Sequence, residues 1–153
     1  MAKFKQKEIQ PDSLYDSVEV SKFINQLMKM GKKTIAKKIV YKAFENIKKE
    51  TKREPLEVFE KALDNAAPLL EVKSKRVGGA TYQVPKEVKG NRRLSLGIRW
   101  IINAAKSKKG KSMEDKLTHE LIQAFNNEGE AVKKKTNTHK MAEANRAFAH
   151  LNR

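Results

Sequence analysis

The chain has 153 residues, 39% of them hydrophobic, and carries a formal net charge of +16. That is enough apolar material for one core, while the charge excess strains a compact state by self-repulsion and calls for a polyanionic partner. With no cysteine there is no disulfide framework, thiol nucleophile or thiolate zinc site, and no apolar run matches a membrane span or a secretory signal, so a soluble intracellular protein without membrane partners is expected.

Residues 1–13 read as an extended basic arm. Lys3, Lys5 and Lys7 recur every second residue and share one side of an extended chain, and Pro11 and Asp12 argue against helix. An arm that orders on RNA and a frayed terminus both fit; an organelle-targeting peptide fits less well, because Glu8 and Asp12 interrupt a short stretch. Residues 14–153 are expected to form a single helical domain. Asp16 with Glu19 suggests a capping box, Val20, Phe23, Ile24, Leu27 and Met28 follow at helical spacing, and Gly31 is the expected stop. A second helix, from about Lys33 to Glu50, buries Ala36, Ile39, Val40, Ala43, Phe44 and Ile47. Lys32 and Lys33 at its start oppose the helix dipole, which suits either an anion site or solvated lysines. Pro55 opens a third helix with Leu56, Phe59, Leu63 and Ala66 inward, and Pro68 stops it. Its outer face carries Glu54, Glu57, Glu60 and Asp64, which phosphate would repel, so this helix should face away from any nucleic acid.

Between Val72 and Met113 stand twelve Lys or Arg and one acid, Glu87. Surface charges usually intermix, so so biased a run reads as a footprint. Its first part, at about residues 72–87, is a two-stranded ribbon turning at Gly78-Gly79, which pairs Arg76 with Thr81, Lys75 with Tyr82 and Lys73 with Val84. One face holds Lys73, Lys75 and Tyr82, the other Ser74, Arg76, Thr81 and Gln83. Neither is a core face, and a lone ribbon is marginal in water, so it needs a partner along its length. A solvated hairpin and a nucleic-acid surface with Tyr82 stacking on a base are both consistent with these residues. Pro85 is expected to end the pairing. A fourth helix after Lys89-Gly90-Asn91 puts Leu94, Ile98, Ile101, Ile102 and Ala105 in one arc and Arg92, Arg99 and Lys106 in the opposite one. Trp100 lies outside the apolar arc and is expected to cover the root of the hairpin. After the basic loop Lys106–Lys111, Ser112 and Asp115 cap a fifth helix with Leu117, Leu121, Ala124 and Phe125 inward and Gly129 as its stop. A last helix is expected from about Ala131 to His150, its alanines at 142, 144, 147 and 149 leaving a slim surface for a partner.

The three histidines are scattered without metal-ligand spacing, neither phosphate-cradling glycine motif occurs, and Glu114-Asp115 is explained by capping. No catalytic constellation can be assembled, so neither an enzyme nor a cofactor or metal site is expected. Three binding classes compete. A DNA architectural protein would use the ribbon as a minor-groove arm, but Gly78-Gly79 offers no apolar wedge. A protein adaptor docking through the acidic third helix leaves the clustered cations unexplained. An RNA-binding protein accounts for both ribbon and helix.

Four stretches carry a family resemblance. The first is Phe23-Ile24, six residues, Gly31-Lys32-Lys33, five residues, Ile39-Val40 and Ala43. The second, and the most specific, is Pro68-Leu-Leu-Glu-Val-Lys-Ser-Lys-Arg-Val-Gly-Gly-Ala-Thr-Tyr-Gln-Val-Pro85. The third is Arg92-Arg93 leading to Arg99-Trp100, and the fourth Ala131-Val-Lys-Lys-Lys135 with His139-Lys-Met-Ala-Glu-Ala-Asn-Arg146. Spread over nearly the whole chain, they resemble the bacterial form of the small-subunit ribosomal protein seven family. Thr136-Asn-Thr138, where many relatives carry acids, and the non-aromatic tail Leu151-Asn-Arg153 depart from it. The resemblance implies a mainly α fold of about six helices with a protruding β-hairpin between the third and fourth. It implies a structural component of the cytoplasmic ribosome that binds the 3′ major domain of small-subunit rRNA early and organises the head. Proteins nine and eleven of the subunit would be neighbours, with exit-site tRNA and mRNA nearby. Carried over, the rRNA-binding residues would be Lys3, Lys5, Lys7, Lys32, Lys33, Lys73, Lys75, Arg76, Arg92, Arg93, Arg99, Lys108, Lys109 and Lys111. The tRNA and mRNA side would hold Gly78, Gly79, Ala80, Thr81, Tyr82, Met141, Asn145 and Arg146.

Overall fold

A computed structural model describes residues 4–152. Its elements are α1 (Val18–Leu27), α2 (Lys33–Thr51), α3 (Pro55–Ala66), β1 (Leu70–Val77), β2 (Ala80–Glu87), α4 (Gly90–Ser107), α5 (Met113–Phe125), α6 (Gly129–Ala144) and a C-terminal 3-10 helix (Arg146–Asn152). The protein is therefore mainly helical, with an antiparallel hairpin between α3 and α4, as expected. The apolar stripes of the six α-helices meet in one continuous core, with Phe23, Phe44 and Phe59 fully buried at its centre. The Phe23 and Phe59 rings meet edge to face with centroids 5.2 Å apart, a favoured aromatic geometry. Gly97 lets α4 approach α3 closely: a Cβ there would lie 3.2 Å from the Ala67 Cβ and 3.3 Å from the Leu63 carbonyl oxygen. Trp100 is half-buried against the helical core.

Several boundaries differ from the sequence expectation, each for a local reason. Ser17, not Asp16, caps α1, its hydroxyl accepting from the Val20 amide, while Asp16 itself is held at positive φ in the preceding turn. α1 ends at Leu27 rather than at Gly31, because Met28 turns extended and Met30 and Gly31 both adopt left-handed φ in the link to α2. Gly129 opens α6 instead of closing α5, whose exit is made by Asn127 at φ 60°. Pairing in the ribbon continues past Pro85, which faces Val72, to the pair Leu70 with Glu87. A two-stranded ribbon has two edges, so the missing N–H of proline removes nothing from the ladder when it faces outward. The last helix breaks at Asn145, whose side-chain amide and backbone N–H both donate to the Met141 carbonyl, and the chain tightens into 3-10 geometry. That amide competes with the continuing helix for its own backbone.

The ribbon register is the expected one: Lys73 opposite Val84, Lys75 opposite Tyr82, Arg76 opposite Thr81. Gly78 and Gly79 both have positive φ, as the two-residue turn requires. Along its length the ribbon's partner is the C-terminal 3-10 helix. Phe148 packs on Tyr82 with centroids 5.1 Å apart, Lys75 Nζ donates to the Leu151 carbonyl, and the Asn152 amide donates to the Pro85 carbonyl.

Candidate nucleic-acid interface

Along α4, Arg92, Arg99 and Lys106 recur every seven residues and all three are exposed. At 1.5 Å per residue they form a track of about 21 Å on one side of the helix. Each end meets another basic element. At the N-terminal end, Arg92 pairs with Glu71 at the ribbon root at 3.0 Å, and Glu71 also lies 3.8 Å from Lys73. At the other end, Lys106 lines a groove with Lys29 and Lys32 from the α1–α2 turn. Beside the track runs α1, held to α4 by hydrogen bonds from Lys22 Nζ to Asn91 Oδ1 at 3.3 Å and from Gln26 Nε2 to Ser95 Oγ at 3.2 Å. Lys7 of the N-terminal arm lines a concavity with Lys33 and Lys37. The arm is docked there by Ser21 Oγ, which donates to the Gln10 carbonyl at 2.7 Å. The structure thus groups Lys7 with Lys33 and Lys37, Lys32 with Lys29 and Lys106, and Arg92 with Lys73 about Glu71; Lys22, Lys29, Lys37 and Lys106 join these groups although they are not among the residues expected to bind rRNA.

Other candidates are engaged inside the protein. The Arg93 guanidinium binds the Asp64 carboxylate at 3.0 Å and the carbonyls of Asp64 and Ala67, cross-linking α4 to the end of the acidic helix. Lys108 Nζ lies 2.9 Å from Oε2 of Glu120, a carboxylate with no solvent exposure, and donates to Gln123 Oε1 at 3.2 Å. The other oxygen, Glu120 Oε1, accepts from the Ala131 N–H at 3.0 Å, in the first turn of α6. Lys109 and Lys111 are exposed in the α4–α5 loop, and Lys5 is exposed in the arm. Lys3 lies outside the described residues. Next to the ribbon tip, Arg76 is exposed, as are Gly78, Gly79, Ala80 and Thr81. Tyr82 is half-buried against Phe148, so the chain's own tail covers that ring, while Lys73 and Lys75 on the same face stay exposed. On the opposite face, Gln83 Nε2 donates to Ser74 Oγ at 2.8 Å across the strands. Met141 and Asn145 stand where α6 ends, and Arg146 pairs with Glu143 at 3.2 Å.

Two polar groups, the buried Asp12 and the half-buried His139, had no clear signal in the sequence. Asp12 accepts from the Leu14 and Tyr15 amides, each at 3.0 Å, and from Tyr41 Oη at 2.7 Å, fixing the turn that leads the arm into α1. The hydroxyl of Tyr41 is pushed up from its ordinary pKa by burial and by donating to Asp12; that of Tyr15 is pushed up by burial and the nearby carboxylates of Glu45, Glu54 and Asp12. His139 on α6 accepts from the Leu69 N–H at 3.0 Å, just before the ribbon begins. Burial and the neighbouring Lys135 hold its pKa below the usual histidine value, which keeps Nε2 free to accept. Among the described residues no group of acids and histidines could hold a metal ion, and no helix is long and apolar enough to cross a membrane.

Residues 1–146 match the family described as Ribosomal protein S7p/S5e. The chain belongs to that family. The small ribosomal subunit protein uS7 of Caldanaerobacter subterraneus subsp. tengcongensis is 60% identical over 144 residues, covering 94% of this chain and 92% of that protein. Its counterpart in Thermotoga neapolitana is 59% identical over 144 residues, covering 94% and 93%. The Petrotoga mobilis protein of the same name is 57% identical over 145 residues, covering 95% and 94%. Membership makes this a structural ribosomal protein of the small subunit and places it in the cytoplasmic ribosome. The family match stops where α6 gives way to the 3-10 helix, so most of the segment that covers the ribbon lies beyond it.

Proposed function

We propose that the chain binds the 3′ major domain of small-subunit rRNA early in assembly and organises the subunit head, with exit-site tRNA and the mRNA path nearby. The observation that carries this reading is the α4 track, joined at one end to the ribbon and at the other to the α1–α2 turn. Two RNA segments that repel each other can be drawn together when one rigid body neutralises phosphates on both. Residues 14–153 act as that body, and the arm of residues 1–13 adds Lys5 and Lys7. The exposed tip at Gly78 to Thr81 and the end of α6 at Met141, Asn145 and Arg146 face the tRNA and mRNA. The acidic face of α3, partly neutralised by Arg93, is left for neighbouring proteins, among them nine and eleven.

With roughly eight phosphates engaged, log affinity for an rRNA 3′ major-domain fragment should fall with log salt with a slope of about −6 to −7. Replacing Arg92, Arg99 and Lys106 together with Ala should make that slope shallower by about 2 to 3 without loss of helicity, because all three are exposed. A wild-type slope near −2 in filter binding would show that the basic surface stays solvated and would end this reading.

A further inference from the structure

The groove at the C-terminal end of the α4 track differs from the rest of the basic surface. It has a volume of about 270 Å³ and apolar walls that include Met28, Ile35 and Met113, while every charged group on it is a cation: Lys29, Lys32 and Lys106. Ile35 is 54% exposed although it sits in the first turns of a long helix. α2 also begins here without a side-chain cap, so its free amides add positive potential to that of the lysines.

We infer that this groove takes one unpaired RNA base, with the flanking phosphates on Lys29, Lys32 and Lys106. The inference rests on the rRNA-binding reading and names what that surface recognises. A nucleotide offers the two features the groove asks for together, a flat apolar face and an anion beside it. Two methionine thioethers, from Met28 and Met113, make favourable contacts with an aromatic ring. An amphipathic peptide helix fits less well, since its anchors at i, i+3/i+4 and i+7 extend over about 10 Å. The groove is the size of one small ligand, below the usual range for larger ones. Duplex RNA is excluded by shape, because its bases are stacked on one another and offer no free face to an apolar groove.

The test places a benzophenone amino acid at position 35 of the full chain and irradiates its complex with the 3′ major-domain fragment. A cross-link to one unpaired nucleotide is expected. Making that nucleotide abasic should then weaken wild-type binding about tenfold and change binding of the Ile35→Ser variant little, since base stacking of this kind is lost only once. Lys106→Gln, at an exposed position, should make the salt slope shallower by about one while leaving the cross-link in place. Cross-links confined to paired nucleotides, equal abasic losses in wild type and variant, or a cross-link to protein in assembled subunits would each overturn the groove assignment and leave rRNA binding intact. Failure of the wild-type chain to bind the fragment at all would instead remove the rRNA reading, and the groove with it.

Discussion

Lys108 is the residue for which cluster charge and structure disagree most sharply. By sequence it belongs to the basic loop and to the binding list. In the fold its ammonium neutralises Glu120, a carboxylate with no solvent exposure that also accepts the Ala131 N–H as α6 begins. Lys108→Met keeps the apolar stem and removes the charge. Breaking a buried pair from one side costs about 3–5 kcal/mol. Because the Lys108 side chain retains 23% exposure, and water can partly screen what remains, the loss falls below that range, to about 2–3 kcal/mol. For a chain of this length that lowers the melting temperature by about 4–12 °C. Thermal unfolding followed by circular dichroism reads this directly. Filter binding below the transition should give an unchanged salt slope, because no phosphate contact is lost. Glu120→Gln on the same background should recover part of the loss, since the amide oxygen still accepts from Ala131 and no unpaired charge stays buried. A variant that melts with wild type but whose salt slope drops by about one would refute the structural role and return Lys108 to the RNA surface.

Gly129→Ala should destabilise the protein by more than about 1 kcal/mol, because φ of +90° disfavours any L side chain and the new Cβ would lie 3.0 Å from the Gln123 Cβ and 3.1 Å from Glu120 Oε1. Urea denaturation measures this. Tyr41→Phe removes the 2.7 Å bond to Asp12 and should cost about 1–2 kcal/mol, with faster amide exchange at Leu14 and Tyr15 as the turn loosens. His139 has a folded-state pKa below its unfolded value, so its contribution is complete above the unfolded pKa near 6.5 and is lost as pH falls through the folded one. Melting temperature should therefore decline on acidification below about pH 6.5 more in wild type than in His139→Gln, and equal declines would remove His139 as the cause. Tyr15 and Tyr41 are shifted upward, so on the alkaline side stability should fall as pH rises through and above 10.

What the sequence disclosed follows from where its signals are local. Helical periodicity found the stripes of the first five helices because each buries one face against a common core, and Phe23, Phe44, Phe59, Ile98 and Leu121 are all fully buried. Gly78-Gly79 fixed the ribbon register because a two-residue turn allows only one. Ser112 capped α5 as read, accepting from the Asp115 amide. The misplaced ends depend on residues that choose between neighbouring roles: Ser17 and Asp16 are both good caps, and a glycine such as Gly129 serves as well before a helix as after one. Glu120 carries no local mark at all, since its burial arises from the packing of α5 beneath the start of α6 and the reach of Lys108. Charge density likewise located the basic surface but could not sort its members. Arg92 and Arg93 are adjacent in sequence, yet a rotation of about 100° per helical residue sends one to the exposed track and the other to Asp64.

The tail gives the ribbon an asymmetry that bears on how it could engage RNA. An isolated two-stranded ribbon is marginal, and ordering it at the moment of binding would subtract from affinity. Here the ordering is already supplied from the C-terminal side: His139 holds the Leu69 amide at the root, Phe148 packs on Tyr82, and Lys75 and Pro85 are bonded to the last residues described. These tethers all engage the root or the Tyr82 side, leaving Arg76 and Thr81 on the other face exposed. A ribbon held stiff from one side presents Arg76 and its tip on the other already ordered. The tail covers Tyr82 but leaves Lys75 exposed, so on the proposed reading the ribbon's contribution to RNA binding rests on Lys75, Arg76 and the tip, and the tail sets how rigidly they are presented.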